Sequence, residues 1–86
     1  METTKIRMYG TNWCGDCRRA KLLMNDYGID FEWIDTDLDK EAEDIVRSMN
    51  HGMRIIPTII FPDGSILIEP TNLQLALKLG IQLENH

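Results

Sequence analysis

Polar and apolar positions alternate first at Lys5 to Tyr9, where Ile6 and Met8 interleave with Lys5, Arg7 and Tyr9. That period of two predicts a short strand. Gly10-Thr11-Asn12 breaks it as a loop. Cys17, Ala20, Leu23, Met24 and Tyr27 then recur at helical spacing, and Gly28 is a suitable stop. Asp30 to Ile34, rich in aromatic and β-branched residues, predicts a second strand, with Trp33 as packing. A second helix follows, capped by Asp39, with Ala42, Ile45, Val46 and Met49 as its apolar stripe. Asn50-His51-Gly52 ends it, and His51 reads as an ordinary loop residue. Thr58 to Phe61 and Ile66 to Glu69 predict a hairpin around Pro62-Asp63-Gly64-Ser65. Pro70 and Thr71 open a third helix, with Leu73, Leu75, Ala76, Leu77 and Leu79 expected on its buried side and Gly80 at its end. The predicted order is βαβαββα, an α/β arrangement with the first strands parallel in part and the last hairpin antiparallel.

At 86 residues the chain suits one small domain, taken as 1–86. The ends, Met1 to Thr4 and Glu84 to His86, are expected to fray. The longest apolar run, Ile55 to Phe61, is interrupted by Pro57 and too short to span a bilayer. The polar, acidic first residues suggest no signal peptide. The formal charge of −5 argues against nucleic acid or an anionic membrane as the main partner. Acidic residues concentrate at Asp35, Asp37, Asp39, Glu41, Glu43 and Asp44, which read as a solvated loop and helix face, with a docking patch for a basic partner as the alternative.

Both cysteines lie in one stretch, Thr11-Asn12-Trp13-Cys14-Gly15-Asp16-Cys17. Residues three apart share a helix face, and the spacing suits a disulfide. A pair of this kind in a chain without a signal reads as a reversible cytoplasmic couple. An ordinary thiol with a pKa of about 8.5 is only about 3% thiolate at pH 7, and only the thiolate is nucleophilic. Cys14 stands where the helix begins, where unpaired N–H groups favour an anion by about 0.3–2 kcal/mol. Cys14 is therefore the expected nucleophile and Cys17, on the apolar side, the resolving thiol. Asp16 lies between the sulfurs, where its carboxylate is expected to repel a Cys14 thiolate and tune it. Trp13 is expected to shield the sulfur and offer a contact surface, or else simply to pack.

The stretch from Tyr9 to Cys17, then Arg54-Ile55-Ile56-Pro57-Thr58, then Asp63-Gly64-Ser65 and Pro70-Thr71-Asn72 together resemble the glutaredoxin branch of the thioredoxin fold, and most nearly its mycoredoxins. The resemblance implies a thioredoxin-like fold, a four-stranded mixed sheet flanked by three helices. It implies a small thiol–disulfide oxidoreductase acting on protein disulfides or mixed disulfides, with no bound cofactor or metal and a small thiol, mycothiol or glutathione, as cosubstrate. It implies a cis Pro57 facing the cysteines, a backbone at Ile56 that pairs with substrate, and an anion site at Thr71 and Asn72. Thr11 and Arg54 join these as thiol-binding candidates. The sequence departs from the usual pattern at Asp16, where an aromatic residue is common, at Ile55 in place of Thr, and at Thr11-Asn12 in place of a basic residue. The expected partners are disulfide-containing proteins and a small thiol, the protein working as a monomer. Two alternatives stay open: a dithiol electron donor recharged by a flavoprotein reductase, and an iron–sulfur or metal carrier through a site shared in a dimer. Two cysteines and one distant histidine do not complete a tetrahedral site within one chain.

Overall fold

A computed structural model of the protein describes residues 5–83. The two ends expected to fray lie outside the described residues. Strands β1 (Ile6–Gly10), β2 (Phe31–Asp35), β3 (Thr58–Ile60) and β4 (Ile66–Ile68) and helices α1 (Gly15–Asp26), α2 (Lys40–Met49) and α3 (Asn72–Leu79) follow the predicted order. The first two strands sit one residue later than the alternation suggested, because Gly10 and Asp35 pair with each other at the strand ends.

The sheet order is β2-β1-β3-β4. β1 and β2 are parallel, as a strand–helix–strand crossover requires. β3 runs antiparallel to β1, pairing Met8 with Ile59 and Tyr9 with Thr58, so the parallel relation expected among the first three strands is confined to β1 and β2. β4 returns antiparallel to β3.

Side chains alternate across the sheet. Met8 and Ile59 face α1 and α3, in a core with Ala20, Leu23, Met24, Phe61 and Leu75. Tyr9 and Ile60 face α2, packing on Ala42 and Val46. Trp33 packs against the first core, with the Lys21 ammonium 3.9 Å from its ring centroid, in line with a packing role.

The caps follow the sequence. Asp39 accepts from the Ala42 N–H at 3.1 Å, and Thr71 forms a reciprocal capping box with Gln74. Gly28, at φ 67°, directly follows the α1 cap Tyr27. The expected stripe of α3 is corrected at two positions: Leu73 and Leu77 are exposed, while Leu75 and Ala76 are buried. At 100° per residue, a position two away from Leu75 points to the other side of the helix. Tyr27 and Ile45 are likewise at the exposed rim of their helices.

The C-terminal end of β1 is the meeting point. Gly10 leads into the cysteine loop there, and Asp35 of β2 lies opposite it. The β1–β3 register runs on toward Pro57 and Ile56. Pro57 also accepts from the Glu69 N–H at 2.8 Å, which brings in the chain leading to α3.

Candidate active site

Cys14 is the N-cap of α1, extended at φ −81° and ψ 120°, and its Sγ accepts from the Cys17 backbone N–H at 3.4 Å. A cap position leaves the side chain outside the helix barrel and turned toward the first-turn N–H groups. Cys14 is half-buried, whereas Cys17 is fully buried, and both are free thiols. Burial pushes the Cys17 thiol up to about 12. A backbone hydrogen bond at Thr11 acts in the opposite direction, while the Cys14 sulfur and the Asp16 carboxylate add to the rise.

Gly10 makes room for this arrangement. A Cβ there would overlap Cys17 Sγ and lie 2.9 Å from the Trp33 ring. The glycine was legible in the sequence only as a loop-former, and its closeness to Cys17 was missed. Its place at the end of a strand, just before the cysteine loop, was the available signal. Thr11 is fully buried, and its hydroxyl has no hydrogen-bond partner among the described residues.

Trp13 is 65% exposed yet fixed in place. Its indole N–H donates to Asp37 at 2.7 Å, and the Arg54 guanidinium lies 5.7 Å from its ring. Asp37 also accepts from Arg54 at 2.9 Å, and Arg54 reaches Glu43 at 3.4 Å. The Trp13 N–H, followed by Arg54, holds the Asp37 carboxyl below its ordinary value. Arg54 is thus charge-compensated from two sides. The sequence placed Asp37 in an acidic cluster read as a solvated face or a docking patch, and its bonds to Trp13 and Arg54 were missed.

On the other side, Arg19 ties α1 to the start of α3. It donates to Asn72 Oδ1 at 2.7 Å, to the Pro70 carbonyl at 3.2 Å and to Asp16 at 3.3 Å. Arg19 was also missed; it lies one helical step from Asp16, an i,i+3 relation that could have flagged it. Thr71 and Asn72 stand at that helix start, the first as cap and the second as Arg19's acceptor. The Ile56–Pro57 bond is cis, as the resemblance implied, and Pro57 is buried. Among the described residues no hydrogen bond engages the Ile56 backbone. No group of three or more His, Cys, Asp or Glu that could hold a metal occurs among the described residues, and no helix there is long and apolar enough to cross a membrane.

A Cys-x-x-Cys pair at a strand-to-helix junction, with a cis proline just before the interior strand β3 of a β2-β1-β3-β4 sheet, defines a thioredoxin-fold thiol–disulfide protein. The glutaredoxin family model matches residues 6–66. Mycoredoxin 1 of Corynebacterium glutamicum is 36% identical over 76 residues, spanning 88% of this chain and 94% of its own. The glutaredoxin-like protein NrdH of Escherichia coli is 36% identical over 61 residues, 71% of this chain and 73% of its own. The crystal structure of the glutaredoxin from Methanosarcina mazei superposes with a TM-score of 0.74 at 29% identity, covering 90% of this chain and 79% of that one. The chain belongs to the glutaredoxin family, and its activity is that of a thiol–disulfide oxidoreductase.

Proposed function

We propose that Cys14 attacks the mixed disulfide formed between a protein cysteine and a small thiol. The Cys14 thiolate forms a new S–S bond to the small thiol. The protein sulfur leaves with the electron pair of the broken bond and takes up a proton. A second small thiol, as thiolate, then attacks the Cys14 mixed disulfide, releasing Cys14 and the small-thiol disulfide. Cys17 is the alternative second nucleophile: it gives up its proton, closes a Cys14–Cys17 disulfide and breaks the bond to the small thiol, which leaves with the electron pair and takes up a proton. The observation that carries this reading is the contrast between the two sulfurs: one half-exposed at a helix cap with an N–H aimed at it, the other sealed in the core.

In this reading the small thiol, mycothiol or glutathione, anchors at the start of α3, where Thr71 and Asn72 stand, since helix-start N–H groups attract anions. Arg54 lines the Trp13 side and serves a ligand carboxylate only by leaving Asp37, so the α3 end is the first anchor. The Ile56 backbone, left free next to Pro57, pairs with the substrate's own backbone, and Thr11 and Trp13 wall the sulfur. Asp16 tunes Cys14. The protein acts as a single 1–86 domain and a monomer in the cytoplasm, on disulfide-containing proteins.

The test is a peptide carrying a mixed disulfide with each small thiol, supplied to Cys14→Ser and Cys17→Ser variants. Cys17→Ser retains turnover with the matching small thiol and Cys14→Ser loses it. Equal loss in both favours the dithiol electron-donor alternative.

A further inference from the structure

Arg19 joins the two halves of the proposed site. Its half-buried guanidinium donates to Asp16, two residues after Cys14, at 3.3 Å, and to the Pro70 carbonyl and Asn72 Oδ1 at 3.2 and 2.7 Å. Glu69, just before Pro70, donates its N–H to the Pro57 carbonyl at 2.8 Å. The cysteine turn, the start of α3 and the chain beside Pro57 are thereby held in one run of hydrogen bonds, with Arg19 as the link to α1. A planar fork suits this task, because its donors point in fixed directions and reach several acceptors at once.

The Asn72 contact has a directional consequence. A guanidinium only donates, so the Asn72 atom that it meets is the amide oxygen. The amide nitrogen, with its two N–H donors, lies on the other side of the same planar group. Among the described residues no acceptor engages that nitrogen, and it is not one of the buried unpartnered atoms, so it opens to solvent. The capping box takes up the Thr71 and Gln74 N–H groups at 2.8 and 3.1 Å. The Asn72 and Leu73 N–H groups, in the first turn of α3, have no partner within the helix.

We propose that Arg19 is a positioning residue for the small thiol: by taking Asn72 Oδ1 it turns the Asn72 amide donors outward, to receive a carboxylate of the small thiol at a set distance from Cys14. This inference rests on the α3 anchor of the reading above and adds the residue that orients it. Arg19 acts through Asn72 and not by touching the ligand. Without Arg19 the amide turns freely, and its oxygen meets the carboxylate as readily as its nitrogen does.

The test follows release of one peptide thiol in a single turnover, from a mixed disulfide with glutathione and from the same peptide linked to 2-mercaptoethanol, which has no carboxylate. The readout is the ratio of the two second-order rates, divided by the same ratio for free dithiothreitol. Any change in Cys14 itself moves both rates alike and cancels. The wild type is expected to favour the glutathione disulfide, and Arg19→Gln to lower the ratio about tenfold, as for a lost hydrogen bond to a charged group. Asn72→Ala is expected to lower it as far, and Arg19→Gln to add nothing in an Asn72→Ala background. A mere loss of positive charge would still be felt there. Arg18→Gln removes the same charge from the exposed next residue and is expected to leave the ratio unchanged. A glutathione preference that survives Arg19→Gln or Asn72→Ala, that falls equally in Arg18→Gln, or that drops further in the double variant overturns the role of Arg19 and leaves the α3 anchor standing. A wild type with no preference for the glutathione disulfide overturns the anchor and the role of Arg19 together. Release of the peptide from neither disulfide overturns the oxidoreductase reading as well.

Discussion

Gly10→Ala adds one methyl group at the most crowded backbone position of the site. Its Cβ would overlap Cys17 Sγ, and two atoms of the Trp33 ring would lie at 2.9 and 3.2 Å. None of these neighbours yields easily. Cys17 is fully buried on α1, Trp33 is packed against the core, and the Gly10 backbone is paired with Asp35 of β2. Overpacking of this kind costs about 1–3 kcal/mol. Against that, alanine in a strand recovers about 0.5–1 kcal/mol of the entropy that glycine loses on folding. The expected net loss is about 1–2 kcal/mol, or roughly 4–16 °C in Tm for a domain of this size. Gly15→Ala is the control, since nothing lies within 4 Å of its Cβ and it begins a helix. It is expected to leave stability unchanged or raise it by up to about 1 kcal/mol. The assay is urea denaturation of both reduced variants, with the Cys14–Cys17 disulfide measured against a dithiol redox buffer. Gly10→Ala shifts that couple because the methyl displaces Cys17 Sγ, whereas loss of stability with an unmoved couple would mean that Trp33 alone yields. If Gly10→Ala matches the wild type in stability, or Gly15→Ala loses as much, the packing argument fails.

Two charge predictions follow. Two unit charges about 7 Å apart interact by roughly 1.5 kcal/mol at an effective dielectric of about 30, close to a factor of ten; Arg19, 3.3 Å from Asp16, offsets part of this. In a Cys17→Ser background Asp16→Asn should therefore speed alkylation of Cys14 at pH 6 by about three- to tenfold at low salt and less at high salt, and Arg19→Gln should slow it; rates that ignore both substitutions would show that Asp16 does not act on the sulfur. For Cys17, burial holds the thiol up to about 12, so above about pH 9 an unfolded chain releases a proton that the folded one keeps. Stability of the reduced protein should fall as pH rises from about 9 to 12, by about 2 kcal/mol at pH 10.5, and Cys17→Ala should remove that slope; identical slopes in the two proteins would contradict a buried, protonated Cys17.

The sequence revealed the elements where a single local cause dominates. Alternation at Ile6 and Met8, the capping residues Asp39 and Thr71, and the terminal glycines each act within a few positions, and each is present in the structure. The place of Cys14 at a helix start was legible for the same reason. What stayed hidden depends on distant pairings. The direction of β3 is set by how the chain re-enters the sheet after α2, which no residue between them encodes locally. The partners Trp13–Asp37 and Arg19–Asn72 are 24 and 53 positions apart, so Asp37 and Arg19 looked like ordinary surface charges. Leu73 and Leu77 misled because a leucine-rich helix carries its buried stripe on all sides until the sheet selects one.

The asymmetry of the two cysteines also bears on which second nucleophile prevails. Burial holds the Cys17 thiol up and keeps it protonated at neutral pH. Part of that restraint comes from the Cys14 sulfur, which bonds to it and repels its anion. A Cys14 sulfur tied up in a mixed disulfide carries no negative charge, so that part lapses. Burial, the largest cause, remains, as does the Asp16 carboxylate two residues after Cys14. Cys17 therefore becomes easier to ionise after the first step than before it, yet stays less available than a thiolate in water. A small thiol arriving at the half-exposed Cys14 sulfur faces no such burial. In the reaction proposed above, burial therefore weighs against Cys17 as the second nucleophile and favours release by an external thiol.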